Sequence, residues 1–286
     1  MIRVAGAPIS WGVCEVPGWG HQMAPERVLD EMAAAGLAAT EFGPEGFLPP
    51  DPDARAELLA GHGLAAVGGF VPVVLHDPGR DPLPEVRRAL AGFGSARTLV
   101  LAAATGSEGY DARPELDDRQ WDALLANLDR IAAHAGAEGV TATLHPHIGT
   151  MVEGPDEVER VLTGSSVPLC LDTGHLLAGG NDPVELARRA AGRIAHVHLK
   201  DVDAALAARV RAGHVTYTDA VRTGLYQPLG QGDVDISAIT TALDAAGYTG
   251  WYVLEQDTVL DAEPAVGEGP LADVVASLAH LRKVTS

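Results

Sequence analysis

The amino-acid sequence predicts an α/β fold of the (β/α)8 or TIM-barrel class, in which eight parallel strands alternate with helices. Short apolar or β-branched runs alternate with longer segments of helical periodicity, which is typical of a parallel sheet with crossover helices. Eight such runs are present, and 286 residues are within the range of one barrel. No linker or low-complexity tract interrupts the chain, so we expect a single domain over residues 1–286.

The elements follow one another in strict alternation. The predicted strands are residues 2–8, 38–43, 64–70, 97–103, 139–145, 167–172, 194–200 and 250–255. The predicted helical segments between them are 25–36, 53–63, 83–94, 117–136, 155–164, 182–192 and 235–247. Several begin with Asp or Pro and end with Gly, which are helix start and stop signals. The segment 204–232 is longer than a usual connection, and we expect it to cover the active face as short helices.

Composition and charge exclude several classes of protein. The formal charge of −19 argues against nucleic acid as a partner, because binding to a phosphate backbone depends on clustered Lys and Arg. No run approaches the roughly 20 apolar residues of a membrane span. The first residues lack the apolar stretch of a signal peptide, so we expect a cytoplasmic protein. A small neutral substrate suits this acidic chain better than a polyanion, and a homo-oligomer is compatible with it.

Two further sequence features limit the chemistry. Cys14 and Cys170 are too few for a disulfide framework and are expected to be small buried side chains. No GxGxxG motif follows the first strand, which argues against a dinucleotide-binding fold. The sequence therefore offers neither a redox pair of cysteines nor a nucleotide motif. In a barrel of this class, the active site is expected at the carboxyl ends of the strands.

Four consecutive predicted strands end in residues of the types that bind metal ions. These are His145, Asp172, His198 and Glu255, on strands five to eight. Side chains alternate between the two faces of a strand, and the neighbouring positions are apolar, so all four can point into one barrel mouth. Each alone could be an ordinary hydrogen-bonded core residue. As a set, they predict one divalent metal ion, with Mn²⁺ or Co²⁺ favoured over Zn²⁺ or Mg²⁺.

Several motifs also resemble a known family. "LHPHIGT", "CLDTGHLLAGGNDP", "RIAHVHLKDVD", "PLGQGDVDI" and "YVLEQD" resemble successive motifs of the xylose isomerase-like barrels, the sugar isomerase/epimerase superfamily. Within it, "GAPISWG", "TEFGPEGFLP" and the histidine motif resemble the inosose dehydratases, enzymes of inositol catabolism. The resemblance implies a divalent metal at the ends of strands five to eight, with Asp172, His198 and Glu255 among its ligands. It also implies a lyase that removes water from a cyclic keto-polyol such as inosose.

The strand-five position departs from the superfamily pattern. Isomerases and epimerases of the superfamily usually have Glu there, whereas this chain has His145. Reversible proton transfer between two carbons is served by two matched bases, so the imidazole disfavours epimerisation. The alternatives left open are a sugar or keto-inositol isomerase or epimerase and an eliminase of 3-keto-glycosides. A DNA-repair endonuclease and a non-catalytic binding module are disfavoured by the charge and by the ligand set.

Dehydration of a β-hydroxy ketone needs a base for the α proton and an acid for the departing hydroxide. The candidates for these roles are Glu41, His147, Lys200 and Glu255, and the candidates for substrate binding are Trp11, His175 and Arg222. Each has a structural alternative: an exposed strand end, a core aromatic, a residue orienting Asp172, or an ordinary loop residue. His196 is expected to be a buried structural residue.

The two histidines of "LHPHIGT" are expected to divide their roles. Residues two apart on a regular strand lie roughly 6.6 Å apart, so both cannot reach one ion. We therefore expect His145 to bind the metal and His147 to contact substrate or relay a proton. The alternative is that Pro146 bends the strand and turns His147 into the loop, where it would only cap backbone groups.

Overall fold

The computed structural model describes residues 2–107 and 109–285. Its strands are β1 (Arg3–Gly6), β2 (Ala39–Thr40), β3 (Ala65–Ala66), β4 (Gly68–Val73), β5 (Thr98–Ala103), β6 (Thr141–Leu144), β7 (Leu169–Asp172), β8 (Ile194–Leu199), β9 (Asp201–Val202), β10 (Tyr226–Gln227) and β11 (Trp251–Leu254). β9 and β10 pair with each other in antiparallel fashion, and the other nine segments form one parallel sheet.

The parallel sheet is a closed barrel of eight strands. Its order is β3-β2-β1-β11-β8-β7-β6-β5-β4, and only Val67 separates β3 from β4. The Val67 amide donates to the Thr40 carbonyl at 2.9 Å, and the Val67 carbonyl accepts from Thr98 at 3.2 Å. β3 and β4 are thus one interrupted strand that closes the ring. The predicted (β/α)8 class and all eight predicted strands are confirmed.

The helices are α1 (Pro25–Ala35), α2 (Pro52–Gly61), α3 (Leu83–Ala91), α4 (Asp118–Ala137), α5 (Pro155–Gly164), α6 (Thr173–Ala178), α7 (Pro183–Arg189), α8 (Ala204–Arg211), α9 (Tyr217–Arg222), α10 (Ile236–Ala245) and α11 (Pro270–Val284). Short 3-10 turns lie at Pro8–Trp11 and Ala191–Arg193. α8 and α9 confirm that the long segment after β8 folds as short helices. The sequence analysis did not predict α6 or α11.

The start signals read from the sequence correspond to real caps. Asp117, Asp182 and Asp235 each accept a backbone N–H from the first turn of α4, α7 and α10. Such caps satisfy amides that the helix itself leaves without partners. Proline at the first turn of α1, α2, α5, α7 and α11 works in the same direction, because its missing N–H is not needed there. Across the described chain, no helix combines the length and the apolar character that crossing a membrane requires.

The apolar core has two parts that together leave the barrel mouth polar. Large side chains fill the layer between strands and helices. A separate cluster of small side chains packs inside the barrel, and its members are Ala5, Ala7, Ala39, Val67 and Val253. This cluster fills one part of the barrel interior, and the part toward the carboxyl ends of the strands lies outside it. That space is occupied by buried histidines and carboxylates.

Candidate functional site

The four predicted metal ligands converge because the strands deliver them at the same level of the barrel. Asp172 is the last residue of β7, and His198 lies within β8. His145 and Glu255 directly follow β6 and β11, and their amides donate to Leu101 at 2.7 Å and Leu199 at 3.2 Å, which extends each ladder by one bond. Since ladder hydrogen bonds hold their backbones, these side chains have little freedom to move apart.

The spacing of their polar atoms fits a shared cation. Nε2 of His145 lies 3.1 Å from Oδ2 of Asp172, and Nδ1 of His198 lies 3.5 Å from the same oxygen. Oε2 of Glu255 is in direct contact with Nδ1 of His198. Ligand atoms about 2.1 Å from one metal ion are about 3.0 to 3.5 Å from each other, which the two separations from Oδ2 of Asp172 match.

Two further observations favour a cation at this point. Nδ1 of His198 and Oε2 of Glu255 are enclosed and lie against each other, and neither forms a hydrogen bond of ordinary geometry within the described chain. Three carboxylates, those of Asp172, Glu255 and Asp257, face the single ammonium of Lys200. The excess of two negative charges is what a divalent ion would neutralise, and uncompensated buried charge is costly. The residues present therefore fit a divalent metal ion.

Asp172 is oriented by the helix that follows it. Its Oδ1 caps α6 by accepting the amides of Gly174 at 2.9 Å and His175 at 2.8 Å, which leaves Oδ2 for the cation. A side chain at position 174 would place Cβ 2.5 Å from Cβ of Lys200, so only glycine allows this approach. The motif "DTGH" is thus a capped turn that aims one carboxylate oxygen into the barrel.

Lys200 lies beneath the ligands as a buried counter-ion. Its Nζ is 2.7 Å from Asp257, 3.1 Å from Glu255 and 3.2 Å from Asp172, and it also contacts Nε2 of His175 at 2.8 Å. Burial alone would lower the pKa of Lys200, but Asp172 and the other carboxylates raise it well above its usual value. The side chain does not leave for solvent, and it is not part of the cavity wall.

Glu41 reaches the site from the opposite side of the barrel. It directly follows β2, and its Oε1 accepts from Nε2 of His196 at 2.7 Å and from Nε2 of His198 at 3.0 Å. Burial alone would raise the pKa of Glu41, but the charge of His198 and both hydrogen bonds hold it well below its usual value. The predicted inward position of Glu41 agrees with this geometry, and His196 is buried against it.

His147 contacts a backbone carbonyl of its loop and also lines the cavity, so features of both predicted alternatives are present. β6 ends at Leu144, so the chain has left the strand at Pro146, and Nδ1 of His147 lies 2.7 Å from the Ile148 carbonyl. We assign the proton to Nδ1, because a carbonyl can only accept. The ring nevertheless lines the cavity, stacked 3.7 Å from the ring of His175. Burial, with His145 and Lys200 nearby, lowers the pKa of His147 to about 3, so the ring is neutral at ordinary pH.

A cavity of about 640 Å³ opens above the ligands. Of the ten predicted site residues, those in its wall are Glu41, His145, His147 and Glu255. The wall also includes residues that the sequence analysis missed, namely Glu15, Phe70, Tyr110, Tyr217 and Asp257. Asp257 had a usable signal, since it is two residues after Glu255. Tyr110 comes from a loop, where no periodicity marks it, and Tyr217 is the first residue of the short helix α9.

Asp257 is held by two groups from different parts of the chain. Tyr217 of α9 donates to its Oδ2 at 2.6 Å, and Nζ of Lys200 lies 2.7 Å from its Oδ1. The hydroxyl of Tyr226 lies 3.2 Å from that of Tyr217 and 3.1 Å from Nδ1 of His175. Burial is the main cause that raises the pKa of Asp257. This buried chain of polar groups ties the segment after β8 to the base of the site.

The three predicted substrate-binding residues lie outside the cavity wall. Trp11 is fully buried, and its indole N–H donates to Glu31 of α1 at 2.8 Å. His175 is fully enclosed, with its ring nitrogens facing Lys200 and Tyr226. Arg222 donates to the backbone carbonyls of residues 18 and 19 at 3.5 and 3.4 Å. Their positions correspond to the structural alternatives considered for them.

Comparison with known proteins gives a consistent relationship. The family model described as xylose isomerase-like TIM barrel matches residues 29–284. The inosose dehydratase of Geobacillus kaustophilus is 34% identical over 92% of this chain and 89% of its own, and the rhizopine catabolism protein MocC of Rhizobium meliloti is 35% identical over 90% and 82%. The crystal structure of the IolI protein with a bound zinc atom has a TM-score of 0.69 at 16% identity, over 100% of this chain and 98% of that one. The chain therefore belongs to the xylose isomerase-like TIM barrel family.

Proposed function

We propose that this enzyme is a metal-dependent hydro-lyase that removes water from a cyclic keto-polyol such as inosose. The observation that carries the proposal is the convergence of four side chains of metal-binding type at the barrel mouth, two of which, His145 and Glu255, line one cavity together with the neutral imidazole of His147. The metal, held by His145, Asp172, His198 and Glu255, would polarise the substrate ketone and so make the α hydrogen more acidic.

The residues around the metal supply proton transfer. Nδ1 of His147 is occupied by the Ile148 carbonyl, which leaves Nε2 with its lone pair. Nε2 accepts the α proton, the C–O bond to the β-hydroxyl breaks, and the same nitrogen returns the proton to the departing hydroxide as water. The ring is neutral, so its Nε2 lone pair is available, and the metal would have to acidify the α hydrogen because a base of such low pKa is weak.

Besides His147, the carboxylate of Glu255 in the cavity wall can act on the substrate. Its Oε1 is paired with Lys200 at 3.1 Å, and its Oε2 faces the metal site. Lys200 acts through Glu255 and Asp172, because it does not itself reach the cavity. The aromatic rings of Phe70 and Tyr110 form walls against which the faces of a polyol ring can pack and exclude water.

The relatives favour dehydration over the alternatives. Proteins named inosose dehydratase match this chain over nearly all of its length. The imidazole at position 145 also removes one of the two matched carboxylates that an epimerase of this superfamily would use. The proposed metal is Mn²⁺ or Co²⁺, which accept mixed nitrogen and oxygen ligands.

The test is to incubate the Mn²⁺-loaded protein with inosose and follow the ultraviolet absorbance of the enolisable diketone product. We expect absorbance to rise with loaded protein and to stay flat after chelation of the metal. A panel of ketoses and a 3-keto-glycoside is run in parallel. Conversion of a ketose into its epimer, or release of an aglycone, with inosose unchanged, would contradict the proposed reaction.

A further inference from the structure

We propose that Glu41 is a positioning residue for the metal site, which orients the ring of His198 and keeps the proton of that ring on Nε2. This role depends on the metal site of the proposed function but not on its substrate. The sequence had suggested direct proton transfer by Glu41, and the geometry assigns it a different task.

The hydrogen bonds define which nitrogen of His198 is available. A carboxylate accepts and an imidazole N–H donates, so both Nε2 atoms beside Oε1 of Glu41 must carry hydrogen. The remaining nitrogen of His198, Nδ1, is the one that faces Asp172 and Glu255. Among the residues that the structure describes, these two carboxylates are the polar groups that Nδ1 meets, and it forms no hydrogen bond of ordinary geometry with either. The carboxylate of Glu41 therefore leaves Nδ1 as the atom that binds the ion.

His196 completes the arrangement. It precedes His198 by two residues on the same face of β8, and the two ring centroids are 5.1 Å apart. Because both rings donate to one oxygen of Glu41, neither ring can rotate without breaking its own bond. His196 and His198 both donate to one oxygen of Glu41, at 2.7 and 3.0 Å, so these three side chains are already hydrogen-bonded to one another.

Within the part of the chain that the structure describes, the ring of His145 has no carboxylate that plays the part Glu41 plays for His198. Its Nε2 faces Asp172, but its Nδ1 is enclosed with no hydrogen-bond partner among the described residues. Metal-binding histidines usually donate their second ring N–H to a carboxylate, carbonyl or water, and loss of such a partner lowers affinity or activity about 10- to 100-fold. Within the described site, Glu41 is the carboxylate that serves a metal-binding histidine in this way.

The chain provides a matched control for changing a buried glutamate. Glu31 on α1 is also buried and also accepts from two side chains, Trp11 at 2.8 Å and Arg27 at 2.5 Å, but it lies outside the cavity wall. Glu41→Gln and Glu41→Ala are therefore compared with Glu31→Gln and Glu31→Ala. The first change of each pair removes the charge, and the second removes the acceptor.

Two measurements made without substrate test the role. Competition with a chromophoric chelator gives the zinc affinity of each protein, and proton–nitrogen NMR of the zinc-loaded, ¹⁵N-histidine-labelled protein identifies the protonated ring nitrogen of His198. We expect zinc affinity to fall in the order wild type, Glu41→Gln, Glu41→Ala, by about 10- to 100-fold overall, with the Glu31 variants unchanged. The wild-type spectrum should contain a His198 Nε2–H signal, protected from exchange, that weakens in the Glu41 variants.

Three results would overturn the role. The first is wild-type zinc affinity in both Glu41 variants together with a lower kcat, which would make Glu41 a proton-transfer group. The second is a wild-type spectrum with zinc on Nε2 of His198, which needs no variant to fold. The third is a wild-type protein that binds no divalent ion, which would overturn the proposed function as well. Zinc binding with inosose left unchanged would overturn only the proposed substrate.

Discussion

The two halves of the barrel differ in what their strand ends carry. In the second half, β6, β7, β8 and β11 bring the four proposed metal ligands and Lys200 to the mouth. In the first half, β1 to β5 bring one carboxylate, Glu41, and the cavity wall on that side is mostly apolar, with Ile9, Phe42, Phe70, Val71 and Pro72. One side of the cavity is therefore built to hold charge, and the other is built to exclude water.

This difference has a physical reason. Opposite charges placed close together offset one another in part, as Lys200 does with the three carboxylates that it faces. The same charges spread around the barrel would each be buried without a partner, which is costly. An apolar wall opposite them lowers the local dielectric constant and strengthens every electrostatic contact made at the ligands. Variants on the two sides are thus expected to fail in different ways.

The largest effect is expected for Asp172→Ala. The change removes Oδ2, which lies next to both metal-binding histidines, so turnover should be lost and metal content should fall. Metal analysis, activity and circular dichroism of the purified variant check this. Asp182→Ala is the matched control, because Asp182 caps α7 with the same two-amide pattern but far from the ligands. Full activity at full metal loading in Asp172→Ala would remove Asp172 from the ligand set.

The next effect separates the histidines of "LHPHIGT". His145→Ala should weaken metal binding, because Nε2 of His145 faces Asp172. His147→Ala should leave metal affinity intact and lower kcat by about 100-fold or more, the usual scale for a proton-transfer group. Titration with metal and steady-state kinetics at saturating metal measure the two effects. Normal turnover of His147→Ala under those conditions would show that His147 has no catalytic role.

A smaller effect is expected on the apolar side, for Phe70→Leu. Phe70 lines the cavity with its ring 5.9 Å from that of His147, and a smaller side chain loses contact with the substrate. We expect kcat/KM to fall about 10-fold, mainly through KM, with metal affinity unchanged. Phe47→Leu, on the same side but outside the cavity wall, is the control. A loss of metal from Phe70→Leu would mean that the two sides are not independent.

Trp11→Phe should affect stability and not catalysis. It removes the donor to Glu31, a bond to a charged group worth about 1.5 to 3 kcal/mol, so Tm should fall by several degrees. Differential scanning calorimetry and substrate kinetics measure the two properties side by side. An unchanged Tm with a raised KM would restore the substrate contact that the sequence suggested for Trp11.

The smallest effect is expected for Arg222→Ala. Among the described residues, its guanidinium donates to two backbone carbonyls at 3.4 and 3.5 Å and lies 3.8 Å from the Asp219 carboxylate. Such partly exposed contacts contribute about 1 kcal/mol or less, so kcat and KM should change by less than about 5-fold. A much larger rise in KM would place Arg222 at the substrate after all.

The sequence by itself determined the barrel and the identity of the residues at its strand ends. Alternation between the two faces of a strand is a local property, so His145, Asp172, His198 and Glu255 could be recognised as inward-facing from their neighbours alone. Helix caps such as Asp117 are local as well. The same rule would have identified Asp257, two residues after Glu255, if it had been applied beyond the strand.

Only the tertiary structure decided the partners of these residues. Glu41 accepts hydrogen bonds from His196 and His198, which lie 155 and 157 residues later in the chain. Tyr217 donates to Asp257, which lies 40 residues later. No periodicity links such residues, because their distance depends on how the barrel closes and how its loops pack over the mouth. The sequence suggested that Trp11 and Arg222 contact substrate. In the structure, the Trp11 side chain points toward α1 and the Arg222 side chain points toward the backbone of a loop. Side-chain direction outside regular strands is set by packing, which acts between elements distant in the sequence.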